Sequence, residues 1–200
     1  MSGPMKEFKR EVSTLVKVRH PNLVLFVGAC ASQPHVMIVT EYCFGGSLFE
    51  LLHAKRHQVV LSNKQKFKLA LDIAKGMHYL HTSDKEGPIL HRDLKSLNLL
   101  LVEEVKSNAD YVQVKVTDFG LSRSLEEMNS VTPGGNQGPA GMTGLAGTFH
   151  WMAPEVLMSD ANYSHKADIY SFGIVMWEIM SREPPFKTLR PHEIMASVVH

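Results

Sequence analysis

The chain of 200 residues carries 21 Lys and Arg against 20 Asp and Glu, a formal charge of +1, which leaves no basic face for nucleic acid. With 44% hydrophobic and 20% charged residues it has globular composition, so wholesale disorder is excluded. The longest apolar-plus-glycine run, Leu23 to Ala31, is half of the roughly 18 residues a membrane span needs, no signal-peptide core opens the chain, and two cysteines (Cys30 and Cys43) imply no disulfide framework, so the cytoplasm is the expected location.

In chain order, Met5, Phe8, Val12, Leu15 and Val16 recur at helical spacing and predict an amphipathic helix over 5–19, stopped by Pro21. The short apolar runs Leu23–Cys30 and Val36–Glu41 flank Ser32-Gln33-Pro34-His35 and predict a β-hairpin. Cys43-Phe44-Gly45-Gly46 reads as a linker. Ser47 with Glu50 and Ser62 with Gln65 have capping-box spacing. The first opens a short helix, the second a long helix to about His81 with Phe67, Ala70, Leu71, Ala74 and Met77 on one stripe. Residues 99–102 and 112–117 read as strands around a polar insert. Between Pro133 and Gly147 the chain is rich in Gly and Pro, the composition of a functional or disordered loop. Ala167–Met180 is apolar on nearly every face except at Asp168 and Glu178, which predicts a buried helix. Pro191 starts another helix. A helix plus hairpin followed by a mostly helical remainder is an α+β pattern. A lone hairpin is marginal in water and the helix from Pro191 has not ended at His200, so the chain is expected to be cut at both ends.

His91-Arg92-Asp93-Leu94-Lys95-Ser96-Leu97-Asn98 matches H-R-D-L-x-x-x-N, and it is followed in order by Asp118-Phe119-Gly120 and Ala153-Pro154-Glu155. With these three motifs the sequence resembles a eukaryotic-type protein kinase domain over nearly its whole length. The resemblance implies a two-lobed fold in residues 5–200. Residues 5–41 would be an N-lobe remnant of helix and hairpin and 42–46 the hinge. Residues 47–200 would be a C-lobe with an activation segment over 118–155, cut before its end. Lys95 after Asp93-Leu94, together with the run Gly147-Thr148-Phe149-His150-Trp151-Met152, resembles the tyrosine-kinase-like group, which includes Raf-type and mixed-lineage serine/threonine kinases.

The chemistry of phosphoryl transfer asks for positioning and charge neutralisation. Asp93 is the candidate to accept the proton of the attacking hydroxyl. Lys95 would stabilise charge on the transferred group. Asn98 and Asp118 offer the hard oxygens that magnesium requires. The resemblance assigns ATP and Mg2+ as cofactors and the same roles to the same four residues. It adds Glu11, Thr40, Glu41, Cys43 and Leu100 to the ATP site. Glu11 would face a strand lysine that grips the α- and β-phosphates, the backbone of Glu41 and Cys43 would read adenine, and Thr40 would be the gatekeeper. Leu15, Phe26, His91 and Phe119 match the four stacked side chains of active kinases, which Asp168 would anchor. Arg92 and Arg123 would form a basic pocket for a phosphate on the loop, with Thr143 as the expected site, read also as a plain polar loop residue. Gly120 completes the motif after Phe119, Thr148 would shape the substrate shelf, and Glu155 would pair with an arginine beyond the chain. His53 and His57 have the spacing of a zinc pair without a third ligand, and are read as structural or solvated.

Implied partners are proteins bearing Ser or Thr, and an upstream activating kinase unless the domain phosphorylates itself. No nucleic acid or membrane span is expected. Two family features are absent, the Gly-rich loop and the V-A-x-K strand lysine. The 200 residues alone are therefore expected to be inactive or very weak, and a pseudokinase scaffold is the alternative reading.

Overall fold

The structure, a computed structural model, describes residues 3–82, 87–118, 123–124, 149–158 and 164–199, with the side chains of residues 3, 4, 6, 7, 10, 123, 124 and 191 outside the description. Helix α1 runs Gly3–Lys17 and is followed by the antiparallel pair β1 (Phe26–Cys30) and β2 (Met37–Thr40), with Phe26 opposite Thr40 and Cys30 opposite Met37. The helix starts and stops two residues earlier than periodicity predicts. Val18, just past its end, is buried, with its amide on the Leu15 carbonyl.

Both capping boxes form. The Ser47 amide donates to Glu50 Oε2 at 3.0 Å and the Glu50 amide to Ser47 Oγ at 3.2 Å. The helix they open widens into an i→i+5 turn over Glu50–Ala54, closed by the Lys55 amide on the Glu50 carbonyl. The Ser62 and Gln65 box opens α2, Asn63–Thr82. The inward stripe of α2 differs from the sequence expectation. Leu69, Ile73, Met77 and Leu80 are buried with Ala70, whereas Phe67 and Leu71 are exposed. Each fully buried Leu or Ile contributes about 1.5–3 kcal/mol that an exposed Phe does not. Gly76 decides between the two apolar faces. A Cβ there would lie 2.8 Å from the Asn22 carbonyl oxygen, so only this face lets the 22–24 backbone seat against the helix.

β3 (Ile89–Leu90) pairs antiparallel with β6 (Arg123–Ser124), a pairing the sequence reading does not contain. β4 (Leu99–Leu101) pairs antiparallel with β5 (Val114–Val116), joined through the polar insert. Val24 donates to the Val116 carbonyl and Val116 to that of Asn22, which docks the segment after α1 on β5. Residues 44–46 run along β4, with the Phe44 amide on Val102, Gly45 on Leu101 and Leu101 on Gly46. At Gly45 an added Cβ would collide with the Glu103 carbonyl and the Leu101 side chain, so the close approach requires glycine.

A 3₁₀ turn, Phe149–Trp151, precedes α3 (Pro154–Leu157), then α4 (Lys166–Ser181) and α5 (Pro191–Val199). α4 is not buried on every face. Ala167, Val175 and Ile179 face the core with Asp168, Ser171 and Glu178, while Ile169, Trp177 and Met180 are exposed. One core runs from Leu15 and Leu23 through Leu48, Leu52 and α2 to Leu99, Val114, Trp151 and Ile179. Among the described residues no helix is long and apolar enough to cross a membrane.

Candidate active site

The loop after β3 carries the dense run of chemistry. His91 is fully buried, and its imidazole is set from both sides: Nε2 donates to the Thr117 carbonyl at 2.9 Å, and Nδ1 accepts from the Asp93 amide at 3.3 Å. Those two partners fix the tautomer with the proton on Nε2. Thr117 immediately precedes Asp118, so this ring ties the two motifs together. Asn98 adds a second tie, since its carbonyl accepts the Thr117 amide at 3.0 Å. The loop and Asp118 are therefore held at the same end of the β4–β5 pair.

Within the loop, Asp93 Oδ2 meets Lys95 Nζ at 2.7 Å and Asn98 Nδ2 at 3.0 Å, and that amide nitrogen also donates to the Asp93 carbonyl at 2.9 Å. Asp93 Oδ1 is buried without a hydrogen-bond partner among the described residues. Both neighbours of the Asn98 amide nitrogen are acceptors, so its Oδ1 is the atom left for another donor or a cation. Lys95 is extended (φ −156°, ψ 159°), and a 3₁₀ turn over Ser96–Asn98 then brings Asn98 back toward Asp93.

Arg92 (φ 69°) and Asp118 (φ 67°) hold left-handed backbone. A non-glycine residue there costs on the order of 1–3 kcal/mol and persists where the surroundings impose it. For Arg92 the restraint is Asp168. Its Oδ1 accepts the Arg92 amide at 2.8 Å, and its Oδ2 accepts the His91 amide at 2.9 Å and His81 Nε2 at 2.8 Å. Burial pushes the Asp168 carboxyl up, but the His81 bond, the nearby His91 and the two amides outweigh it and hold it below the ordinary carboxylate range.

Asp118 lines a cleft with Glu11, Leu15, Val24, Ile38, Thr40 and Thr117. Burial first, and Asp118 second, raise the Glu11 carboxyl above its usual value. Thr40 ends β2 on the wall of this cleft. Glu41 is occupied at its side chain. Its Oε1 accepts the Leu25 amide at 2.7 Å and Lys115 Nζ at 2.5 Å. Its carbonyl and the Cys43 amide carry no hydrogen bond among the described residues. Burial and Glu41 push the buried Cys43 thiol up, against Lys115, so it is a poor nucleophile. Leu100 lies half-buried at the centre of β4 and bridges to Ser47. Leu15 is buried, and Phe26 packs half-buried on the core.

Glu155 sits in the first turn of α3, and its charge, after burial, raises the Tyr170 phenol. Phe119, Gly120, Thr143 and Thr148 lie outside the described residues, as does the Arg123 side chain. His53 donates to Glu178 at 2.7 Å rather than pairing with His57, and no group of three or more His, Cys, Asp or Glu stands together as a metal site among the described residues.

Sequence reasoning missed the contacts of His81 with Asp168, of Lys115 with Glu41, and of Glu178 with three donors. The available signal was the pair of acids on the otherwise apolar α4, since a buried carboxylate must find donors.

Residues 1–200 match the family described as protein tyrosine and serine/threonine kinase. The chain is 41% identical over 194 residues to serine/threonine-protein kinase CTR1 of Arabidopsis thaliana, covering 97% of this chain and 21% of that protein. It is 42% identical to serine/threonine-protein kinase STY46 of the same plant, covering 97% and 29%. With the human serine/threonine-protein kinase TNNI3K it shares 40%, covering 96% and 21%. The chain thus spans between a fifth and a third of the length of these relatives. Family match and motif geometry agree: the chain belongs to the protein kinase family.

Proposed function

We propose that this domain transfers the γ-phosphate of ATP to serine or threonine hydroxyls of protein substrates. The observation that carries the reading is the asymmetry of Asp93. Its Oδ2 is held by Lys95 and Asn98, while its buried Oδ1 has no partner among the described residues. A buried acceptor without a donor is costly unless a ligand supplies one, and a substrate hydroxyl is such a donor. As that oxygen bonds to the γ-phosphorus, its proton passes to Oδ1 and the bond to the β,γ-bridging oxygen breaks, leaving ADP. Lys95 balances charge on the same carboxylate and would meet the incoming phosphoryl oxygens.

The donor set suits magnesium. Asn98 Oδ1 and the Asp118 carboxylate are two hard oxygens at one end of the β4–β5 pair, and magnesium is bound by one or two protein groups plus substrate phosphates. When bound, the metal neutralises charge on the phosphates. The Glu41 carbonyl and Cys43 amide, without a hydrogen bond among the described residues, would read the adenine edge, with Thr40 and Leu100 at the cleft wall and in the strand beside it. The relatives' names support serine or threonine as acceptor. Control by phosphorylation belongs to the same proposal: a phosphate on Thr143 would pair with Arg92 and Arg123.

The test is phosphate transfer from magnesium-ATP to a generic protein by these residues joined to a Gly-rich loop and strand lysine, and by the Asp93→Asn variant of that active protein. The variant is expected to lose at least a hundredfold in kcat, the lower end of what a general base contributes. Equal signal from both would refute the reading and leave a binding scaffold in its place.

A further inference from the structure

Three segments distant in sequence converge on one carboxylate carried by a fourth. Glu178, on α4, is completely buried. Its Oε1 accepts Ser96 Oγ at 2.6 Å and His53 Nε2 at 2.7 Å, and its Oε2 accepts Trp151 Nε1 at 3.0 Å. Three donors on two oxygens is the pattern of an acceptor-only carboxylate. His53 Nδ1 is buried with no partner among the described residues, so the ring serves this node through Nε2 alone. Trp151 is pinned a second time, by Ser171 Oγ on its carbonyl at 2.7 Å.

What matters is where the donors sit. Ser96 is fully buried and lies between Asp93 and Asn98. Trp151 closes the turn that leads into Ala153-Pro154-Glu155. Asp168 stands on the same helix as Glu178, about 15 Å away along its axis. Asp168 grips the amides of His91 and Arg92, just before Asp93, and Glu178 grips Ser96, just after it. The proposed base is therefore clamped on both sides from a single rigid element, which is how a reacting group is kept within a fraction of an ångström of its working position.

We propose that Glu178 and Ser96 are positioning residues for the transfer step, setting the Asp93–Asn98 turn against α4 and, through Trp151, against the segment that enters α3. The inference rests on the function proposed above. Neither side chain touches the reacting atoms, and both act through the backbone between Asp93 and Asn98.

The experiment uses these residues joined to a Gly-rich loop and strand lysine, and compares that active parent with its Ser96→Ala, Ser96→Thr, Glu178→Gln and Asp93→Asn variants, using magnesium-ATP and casein. Rates are normalised to folded protein by circular dichroism, and nucleotide sites are counted by equilibrium binding of a fluorescent ATP analogue. Ser96→Ala and Glu178→Gln are expected to lower kcat per folded molecule ten- to a hundredfold with KM for ATP within twofold, and Ser96→Thr, which restores the hydroxyl, to recover most of the loss. A purely structural role would lower the folded fraction and leave kcat per folded molecule unchanged. Parental kcat in folded Ser96→Ala would overturn the proposal, and this variant decides alone if Glu178→Gln does not fold. Loss of transfer in Asp93→Asn with full activity in Ser96→Ala would remove the clamp and keep the function. Retained transfer in Asp93→Asn would remove both.

Discussion

At the scale of single residues, the site depends on which atom of each side chain is already spoken for. Asn98 spends both amide hydrogens on Asp93, one on the carbonyl and one on Oδ2. Replacing Asn98 by Asp puts an oxygen against two oxygens at about 3 Å and converts attraction into repulsion. The Asn98→Asp variant is expected to lose at least about a hundredfold in kcat, because the turn that carries Asp93 opens. Steady-state transfer to casein measures it, and a rate within threefold of the parent would contradict the geometry. The motif residues were legible in sequence because they lie within one loop, where spacing fixes proximity. Glu178, His81 and Lys115 were not, since their partners are dozens of residues away and no local pattern encodes which donor a buried acid finds. The left-handed backbone at Arg92 and Asp118 was equally silent, because neither residue type announces it.

At the scale of elements, α4 is the organiser. Asp168 is nearly fully buried and accepts three hydrogen bonds, two of them from main-chain amides. Its carboxyl is held below the unfolded value of about 3.9. A depressed folded value means that the unfolded chain binds the proton more readily, so the stabilisation is complete above about pH 4 and disappears as pH falls through the folded value. Asp168→Asn keeps the size but offers one acceptor and faces donors with its amide nitrogen. It is expected to cost about 1–3 kcal/mol per amide left without a partner at pH 7. Urea unfolding across pH 7 to 3 should show the gap between parent and variant narrowing only below about pH 4. A gap that stays constant to pH 3 would mean that Asp168 does not carry the stabilising charge. The longer helices and the strands of the hairpin and of the β4–β5 pair were readable from capping boxes and periodicity, and both boxes form, whereas the two-residue strands β3 and β6 and the short α3 were not. The inward face of α2 was not readable, because two apolar stripes compete on it. Only the approach of the Asn22 backbone to Gly76, a tertiary fact, selects the one with Leu69 and Ile73.

At the scale of the molecule, the cleft between the α1–hairpin unit and the β4–β5 pair collects negative charge. Glu11 from α1 and Asp118, two residues past β5, both line it, and no cation does among the described residues. Burial and the Asp118 charge together raise the Glu11 carboxyl. The sign is opposite to that of Asp168. A folded value above the unfolded one, about 4.3 for Glu, means that ionised Glu11 costs stability once pH exceeds the folded value, and that the cost fades on acidification toward pH 4. Glu11 is partly open to solvent, which screens and limits the penalty. Glu11→Gln is therefore expected to raise Tm at pH 7, with the gain shrinking as pH approaches 4. If the cleft receives a metal-bound nucleotide and its cationic partner, the same substitution weakens magnesium-ATP binding, so the more stable protein is the poorer kinase. Such a trade is what a site built for charge rather than for stability predicts. Thermal unfolding with and without magnesium-ATP reads both halves. A lower Tm for Glu11→Gln at pH 7 would show that Glu11 is stabilised where it stands, and unchanged transfer would separate the cleft's electrostatics from its chemistry.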